Sequence, residues 1–419
     1  MKYLQFLAAH RRFLGFGFVL AFFSSFGQTF FISLFGDEIR GTFDLSHGDF
    51  GLVYSLATLA SGLTIIWLGR KLDTVDLRRF STVLCAGLVV ACFAMGIAPG
   101  VAVLVVAIYL LRLTGQGLLS HTAMTSMARY FDDARGKAIS IAGLGFPVGE
   151  AVLPIVAVIV MQRIGWRGTW LGIAAVLLVI AIPLVLWLLR GHGERHRAHL
   201  ATGNAVSGGA GRQWTRAEVL RDPRFYLLLP GVMAPGFIVT GLFFHQVHLV
   251  DTKGWSLTWF AGCFAVFAVA QLPAGLLAGP LVDRLGATRL LPVYLLPLAA
   301  SLVVLATGSH MLVAAAFMAL AGVTSGLGGT VVGSMWAEVY GVRHLGAIRA
   351  MATAIMVFST AGSPVTMGWL IDAGVSMDTI AWWCCGYAVA GAALAWVAMN
   401  SEGGTVEGGR HRRPTSPVE

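Results

Sequence analysis

Two stretches of sequence decide the fold: residues 69–79 read GRKLDTVDLRR, and residues 279–289 read GPLVDRLGATR. Each begins with a glycine at the end of an apolar run, carries an aspartate four residues later and ends in arginine. The two copies lie 210 residues apart, and other pairs keep the same offset, among them Tyr130 with Tyr340. Self-similarity at one constant offset indicates a tandem duplication.

The composition of the 419 residues points to a membrane. Hydrophobic residues make up 57% of the chain and charged residues only 12%, whereas an ordinary soluble domain carries roughly 25% charged residues. The apolar residues come in runs of about 20, the length that crosses roughly 30 Å of hydrocarbon. We therefore expect an all-α membrane protein.

The apolar runs number twelve, six before and six after a polar stretch rich in Gly, Ala, Ser and Arg. Such a composition is typical of a flexible linker. The sequence predicts an N-terminal six-helix bundle at 1–190, a cytoplasmic linker at 191–224, a C-terminal six-helix bundle at 225–400 and a disordered cytoplasmic tail at 401–419. The predicted crossings are 13–35, 48–68, 80–98, 101–127, 137–161, 168–189, 225–250, 258–278, 290–308, 311–337, 347–371 and 379–399.

Basic residues set the predicted orientation, because Lys and Arg close to spanning helices stay preferentially on the cytoplasmic side. With both termini cytoplasmic, all but five of the 29 Lys and Arg residues fall on cytoplasmic segments. The exceptions are Arg40, Arg163, Arg167 and Lys253 in outside loops, and Arg112 within an apolar run. We expect a multi-pass protein of the inner membrane, whose net charge of +9 reflects topology and not a nucleic-acid-binding face.

The two repeated loops resemble the signature cytoplasmic loop of the major facilitator superfamily, Gly-x-x-x-Asp-Arg-x-Gly-Arg-Arg. The resemblance implies two pseudo-symmetric six-helix bundles, the major facilitator fold, and secondary active transport by alternating access. It also implies a conformational latch, in which the aspartate pairs with arginine and caps a neighbouring helix in one state. The first copy has Thr74 and Asp76 where the family has Arg and Gly. The matching positions are Gly69, Asp73, Arg78, Arg79, Gly279, Asp283, Arg284 and Arg289.

A second motif, RLTGQG at 112–117, resembles the intramembrane arginine motif of the same superfamily. Helical spacing places Arg112, Gln116 and Ser120 on one face. A buried arginine costs several kcal/mol unless it meets water, a substrate or a counter-charge. We therefore expect Arg112 to face a central cavity.

Glu150 lies in the next apolar run, at a depth close to that of Arg112. Ionisable residues inside a membrane commonly belong to proton relays or substrate pathways. The hypothesis is that Glu150 exchanges protons while Arg112 holds its charge or binds an anionic substrate. A static structural ion pair between the two is the alternative.

Three further residues are candidates for substrate contact or coupling. Gln28 stands in the first apolar run, where packing alone rarely selects glutamine. His245 and His248 follow Gly241 at helical spacing, and histidine titrates near physiological pH. These histidines either line the outward vestibule and join proton coupling or are interfacial polar residues at a helix end.

Two segments resemble the monocarboxylate-porter and oxalate/formate-antiporter branch: ARYFDDARGKA at 128–138 and VLRDPRF at 219–225. The resemblance implies a proton-coupled transporter of a small organic anion such as a monocarboxylate. Members of that branch commonly hold carboxylate with a basic residue in the eighth or eleventh helix, and here those runs offer only Arg349, at the inner end. Proton-driven efflux of drugs or metabolites is therefore kept as an alternative.

Other protein classes are disfavoured. The sequence has no Gly-rich phosphate loop ending in Lys-Ser or Lys-Thr, and its five cysteines lack metal-ligand spacing. A membrane enzyme would need paired catalytic groups at membrane depth, and a nontransporting membrane sensor would be expected to add a soluble signalling domain. We expect no catalytic residue, metal, cofactor or nucleic-acid partner; the expected partners of this monomer are a small-molecule substrate, protons and the lipid bilayer.

Overall fold

The computed structural model describes residues 3–73, 75–131, 134–192, 214–341 and 344–400. Within these ranges every regular element is helical and no strand occurs. Among the same residues, eleven stretches are long and apolar enough to cross a membrane, judged by length and composition. The chain is therefore an all-α, multi-pass membrane protein, which confirms the expectation from composition.

The helices that carry the crossings are labelled in chain order. They are α1 (Tyr3–Ser24), α2 (His47–Leu68), α3 (Leu77–Ile97), α4 (Val101–Tyr130), α5 (136–164), α6 (166–188), α7 (Pro223–Phe244), α8 (Leu257–Leu285), α9 (Ala287–Thr307), α10 (Met311–Tyr340), α11 (Leu345–Asp372) and α12 (Met377–Asn400).

One of the eleven stretches, Gly136–Leu188, contains both α5 and α6. Its 53 residues would extend about 80 Å as one helix, far more than one bilayer needs. Gly165 interrupts it with a φ of 71°, a backbone conformation that glycine adopts without steric cost. Just beyond, Arg167 donates a hydrogen bond to the carbonyl of Ala98, where α3 has ended. The chain therefore reverses at Gly165, so that six crossings precede residues 193–213 and six follow them.

The two ends of the bundle differ. At the end away from the start of α1, α2 packs along α11, and the chain after α1 packs against the end of α7. We call residues 33–51, 243–248 and 364–372 the closed end. The opposite end, where α1 begins, is called the N-terminal side. There a cavity of about 520 Å³ lies among α7, α10 and α11 and reaches Trp336, one turn before α10 ends.

Two of the basic residues outside the expected cytoplasmic set have a structural role. Arg167 donates hydrogen bonds to the carbonyls of Gly96 and Ala98, at 3.3 and 2.8 Å, where α3 ends. Lys253 donates to two carbonyls at the end of α9, at 2.6 and 2.8 Å, and pairs with Asp378 at 2.7 Å. Cations stabilise helix C-termini because the last carbonyls there lack partners.

The two repeated loops lead into α3 and α9 with different caps. In the first loop, the Asp76 carboxylate accepts a hydrogen bond from the backbone N–H of Arg79, at 3.1 Å. In the second, Glu338 of α10 accepts from the backbone N–H of Ala287 at 2.8 Å and from the hydroxyl of Thr288 at 2.6 Å. Asp76, which departs from the family pattern, thus supplies a local cap for its own helix.

Candidate substrate and coupling site

The first apolar run is broken between Ser25 and Gln28. The apolar run 13–35 predicted a continuous helix, but α1 ends at Ser24, a 3-10 turn covers Ser25–Gly27 and Gln28 is extended, with a ψ of 152°. A short helix, Thr29–Ile32, follows. A break at membrane depth exposes backbone polar groups that neighbouring helices must satisfy.

Helix α4 lies directly against this break. Its segment Leu111–Leu119 is π-helical, a local form that is frequent at functional sites. A Cβ on Gly27 would lie 2.2 Å from the carbonyl oxygen of Leu111, and a Cβ on Gly115 would lie 2.8 Å from the Cα of Gly27. The two backbones are therefore in contact, and a side chain at either glycine would separate them.

Arg112 is held at this crossing by neutral groups. Its Nη1 donates to the carbonyl of Gly27 at 3.1 Å and lies 3.5 Å from the hydroxyl of Thr29. The guanidinium lies 5.2 Å from the ring centroid of Tyr54, whose hydroxyl is 2.7 Å from that of Thr29. Such cation–π contacts stabilise a desolvated cation. Arg112 is only 4% exposed, so it faces the protein interior and not the lipid.

Glu150 lies where α5 packs on α1. The preceding residue, Gly149, contacts Ser25 so closely that a Cβ would lie 2.2 Å from its hydroxyl oxygen. Glu150 is partly buried, and its buried Oε2 has no hydrogen-bond partner among the residues that the structure describes. Within the same residues Arg112 and Glu150 form no ion pair. The described state therefore does not contain the static pair that was the alternative.

Gln28 and Gln116 lie with Arg112 at the crossing of α1 and α4. Gln28 forms the break itself, and the backbone nitrogen of Gln116 would lie 2.5 Å from a Cβ on Gly27. Both side chains are partly buried. Three of the predicted site residues are thus brought together, with Glu150 on the neighbouring helix.

His245 and His248 lie elsewhere, at the closed end. His245 is 4% exposed, and its Nε2 lies 2.8 Å from the carbonyl oxygen of Pro364 in α11. The ring of His248 lies 4.6 Å from the ring of His47 at the start of α2. His248 follows the end of α7, and burial, followed by the charge of Arg40, lowers its pKa below the ordinary value.

Hydrogen bonds join the two halves of the chain at the closed end. Asp372, the last residue of α11, accepts from the backbone N–H groups of His47 and Gly48, at 3.1 and 2.7 Å. Gln246 donates to the hydroxyl of Ser33 at 2.7 Å. These bonds must break before this end can open.

The aspartate and arginine of the second latch loop are not paired with each other in the described part of the chain. Asp283 and Arg284 near the end of α8 are exposed, and no ion pair involves them in the described part of the chain. The side chain of Asp73 lies outside the described residues. The remaining members, Gly69, Arg78, Arg79, Gly279 and Arg289, lie at the starts and ends of α2, α3, α8 and α9 on the N-terminal side.

The cavity on the N-terminal side is lined by a cationic side chain, Arg349. The sequence had placed Arg349 at the inner end of a helix and had not predicted that it lines a cavity. Arg349 lines its wall and donates to the carbonyl of Gly333. Tyr294 and Trp336 supply aromatic surface, and Thr353 a hydroxyl. The cavity therefore combines one guanidinium with aromatic and polar groups, as small-molecule sites commonly do.

Three residues at or near the candidate site were not predicted from the sequence: Tyr54, Tyr294 and Gln271. Tyr54 and Tyr294 carried no signal, because an aromatic residue in an apolar run looks like core. Gln271 in α8 carried the same signal as Gln28, a glutamine in an apolar run, and was overlooked. Its Oε1 is buried without a hydrogen-bond partner in the described ranges. In all the ranges that the structure describes, no group of three His, Cys, Asp or Glu side chains could hold a metal ion.

Comparison with known proteins identifies the family of the chain. A family model described as Major Facilitator Superfamily matches residues 17–268, more than half of the chain. No curated protein matches.

Similar solved structures include a bacterial homologue of the human lysosomal transporter Spinster, inward-facing and unoccupied, with 15% identity over 93% of this chain and 94% of that one and a TM-score of 0.62. They also include the nucleoside transporter NupG, with 15% identity over 92% and 98% and a TM-score of 0.68. At such identity these structures share the fold alone, but the family match covers most of the first seven crossings. The chain belongs to the major facilitator superfamily.

Proposed function

We propose that this transporter carries a small organic anion, such as a monocarboxylate, across the inner membrane together with protons. The family makes it a membrane transporter of small molecules and not an enzyme. Membership of the family does not determine the substrate class, the coupling ion or the orientation, which are inferred from the residues of the site and from the sequence. The two branch-like segments at 128–138 and 219–225 favour the same substrate class.

The observation that carries the proposal is that two ionisable side chains inside the bundle, Arg112 and Glu150, do not pair with each other. Arg112 contacts only neutral groups, and Glu150 has an unpartnered oxygen, in each case among the described residues. An isolated carboxylate is expensive at membrane depth, whereas a neutral carboxylic acid costs far less. Binding and release of a proton is therefore the simplest way for Glu150 to pass through the transport cycle.

An anionic substrate is supported by the cavity. Arg349 is exposed there and forms no ion pair with a described carboxylate. A guanidinium binds a carboxylate through two parallel hydrogen bonds, which gives both charge and orientation. The aromatic groups of Tyr294 and Trp336 suit the organic part of such a substrate.

Alternating access is the expected mechanism. In the described state the closed end is sealed, and the cavity lies on the N-terminal side. We propose that Asp283 and Arg284, exposed in this state, engage when the N-terminal side closes, and that the contacts of Asp372 then break. The distribution of Lys and Arg favours a cytoplasmic N-terminal side with both termini in the cytoplasm. We also propose that the chain acts as a monomer.

Uptake by purified protein in liposomes tests the proton role. Uptake of labelled lactate, formate or oxalate is measured with and without a pH gradient across the liposome membrane. The wild type should transport one of them faster with the gradient than without it. Glu150→Gln should abolish that acceleration, while Glu38→Gln, a change at an exposed glutamate of the closed end, should not. Unchanged pH dependence and unchanged proton flux in Glu150→Gln would remove the proton role.

A thermal-shift screen tests the substrate class. Organic acids, sugars and amphipathic cations are added to purified protein at two pH values. We expect stabilisation by organic acids, and a loss of that stabilisation in Arg349→Gln. Stabilisation by amphipathic cations alone would replace this proposal with drug efflux.

A further inference from the structure

A recess separate from the transport cavity lies between the start of α3 and the end of α6, on the N-terminal side. It has a volume of about 870 Å³. Arg78 and Arg79 of the first turn of α3 line one wall, and Val83 and Leu186 continue that surface along the two helices. Arg78 and Arg79 belong to the predicted latch, but the remaining walls of the recess have no role in the transport mechanism proposed above.

The charged part of the recess is basic and available. Arg78 and Arg79 are exposed, and neither side chain donates a hydrogen bond or joins an ion pair within the described ranges. Asp76 also lines the recess, but its carboxylate already accepts the backbone N–H of Arg79. Two guanidinium groups are therefore free to bind an anion.

The depth of the recess matches the membrane interface. Trp187, next to Leu186 in α6, is 48% exposed, and tryptophan is enriched at the level of lipid headgroups. The guanidinium of Arg12 lies 5.0 Å from the centroid of its ring. Charged and aromatic groups thus meet here at the end of a spanning helix.

The apolar part of the recess excludes a purely ionic occupant. Val83 lies one turn into α3 from Arg79 and is 68% exposed on a spanning helix. An occupant that fills the recess therefore needs a negative head beside the arginines and a hydrocarbon part along the helices. Basic pockets between spanning helices bind anionic headgroups in this way.

We infer that this recess binds an anionic phospholipid, with its phosphate between Arg78 and Arg79 and an acyl chain along Val83 and Leu186. The site lies in the leaflet on the N-terminal side. It is independent of the transported substrate, so its test does not require a transport assay.

The test measures phospholipid retained by the purified full-length protein in mixed micelles of phosphatidylglycerol and phosphatidylcholine, by native mass spectrometry. Each arginine near a membrane surface contributes enough that the double variant Arg78→Gln/Arg79→Gln should retain phosphatidylglycerol about 30-fold less tightly. Arg216→Gln/Arg221→Gln removes the same charge from exposed positions outside both the recess and the latch and should leave retention unchanged. Arg78→Lys/Arg79→Lys should keep most of it, which guards against a folding defect.

Three results would overturn the inference. Equal losses in the two Gln double variants would indicate a general attraction of anionic lipid to a basic surface. Displacement of phosphatidylglycerol by millimolar inorganic phosphate would indicate a soluble anion site. Loss in the Lys double variant equal to that in the Gln variant, at an unchanged melting temperature, would show that charge at these positions does not hold the lipid.

Discussion

Gly368→Ala is expected to open the closed end of the bundle. Gly368 lies in α11, where a Cβ would be 2.5 Å from the carbonyl oxygen of His47 and 2.9 Å from the Cα of Gly48. Real Cβ contacts essentially never fall below 3.0 Å, and both opposing atoms belong to the backbone, which cannot rotate away. Helices α2 and α11 must therefore separate when this glycine gains a side chain.

The size of the effect follows from the cost of overpacking, about 1–3 kcal/mol for an added carbon in a tightly packed contact. That cost applies only in the state in which α2 and α11 touch at this point. The equilibrium should shift about 5–150-fold toward the state that is open at this end. Gly362→Ala is a matched control, because it makes the same change in the same helix where a Cβ meets nothing within 4 Å.

Cysteine labelling measures the shift. In a background without the five native cysteines, Ser33→Cys reports on the closed end and Thr353→Cys on the cavity of the N-terminal side. Gly368→Ala should raise the labelling rate of the first reporter and lower that of the second. If Gly368→Ala and Gly362→Ala label alike, the α2–α11 contact does not determine which end is closed.

Acidification from about pH 7.5 to about 5.5 should raise labelling of the Ser33→Cys reporter. The pKa of His248 is lowered while the closed end is closed, so the state that is open at this end binds more protons as pH falls and becomes more populated. His248→Gln should weaken this pH response, and an undiminished response would exclude His248. Tyr54→Phe should retain most uptake into liposomes, since its ring still lies beside the guanidinium, whereas Tyr54→Leu should lose it; equal uptake would remove the role of the ring. Arg167→Ala should lower the Tm of purified protein, because hydrogen bonds from a charged donor contribute about 1.5–3 kcal/mol each. Arg163→Ala, at an exposed position without a described contact, should not, and equal losses would contradict the capping role.

Much of the fold could be predicted because hydropathy and repeats are properties of short segments. The apolar runs predicted helices in the right places, and the family match confirms the fold that the repeated loops indicated. The break at Gln28 was missed, because the run 13–35 is apolar enough overall to be taken as one continuous crossing despite its few polar residues. That break is held by Arg112, 85 residues from Gly27 along the chain.

The candidate site was predicted as residue types and not as contacts. Arg112 was expected to face a central cavity; in the structure it is buried in the protein interior, against the carbonyl of Gly27 and the ring of Tyr54. Its partners are the carbonyl of Gly27, which the break in the first crossing leaves without a helical partner, and the face of the Tyr54 ring. Neither contact could be predicted from the spacing of residues along the sequence. His245 and His248 were predicted either to line the outward vestibule or to be interfacial residues at a helix end, and only the structure gives their contacts, which lie at the closed end.

The sequence by itself determined that the chain is helical, crosses the membrane repeatedly and consists of two related halves, because transfer of apolar segments into lipid and repetition of motifs are local properties. Only the tertiary structure decided that Arg112 and Glu150 stay apart, that Arg349 lines a cavity and that Asp372 seals one end. Those features depend on residues far apart along the chain. They also belong to one of several states of a single sequence, whose free energies differ by only a few kcal/mol.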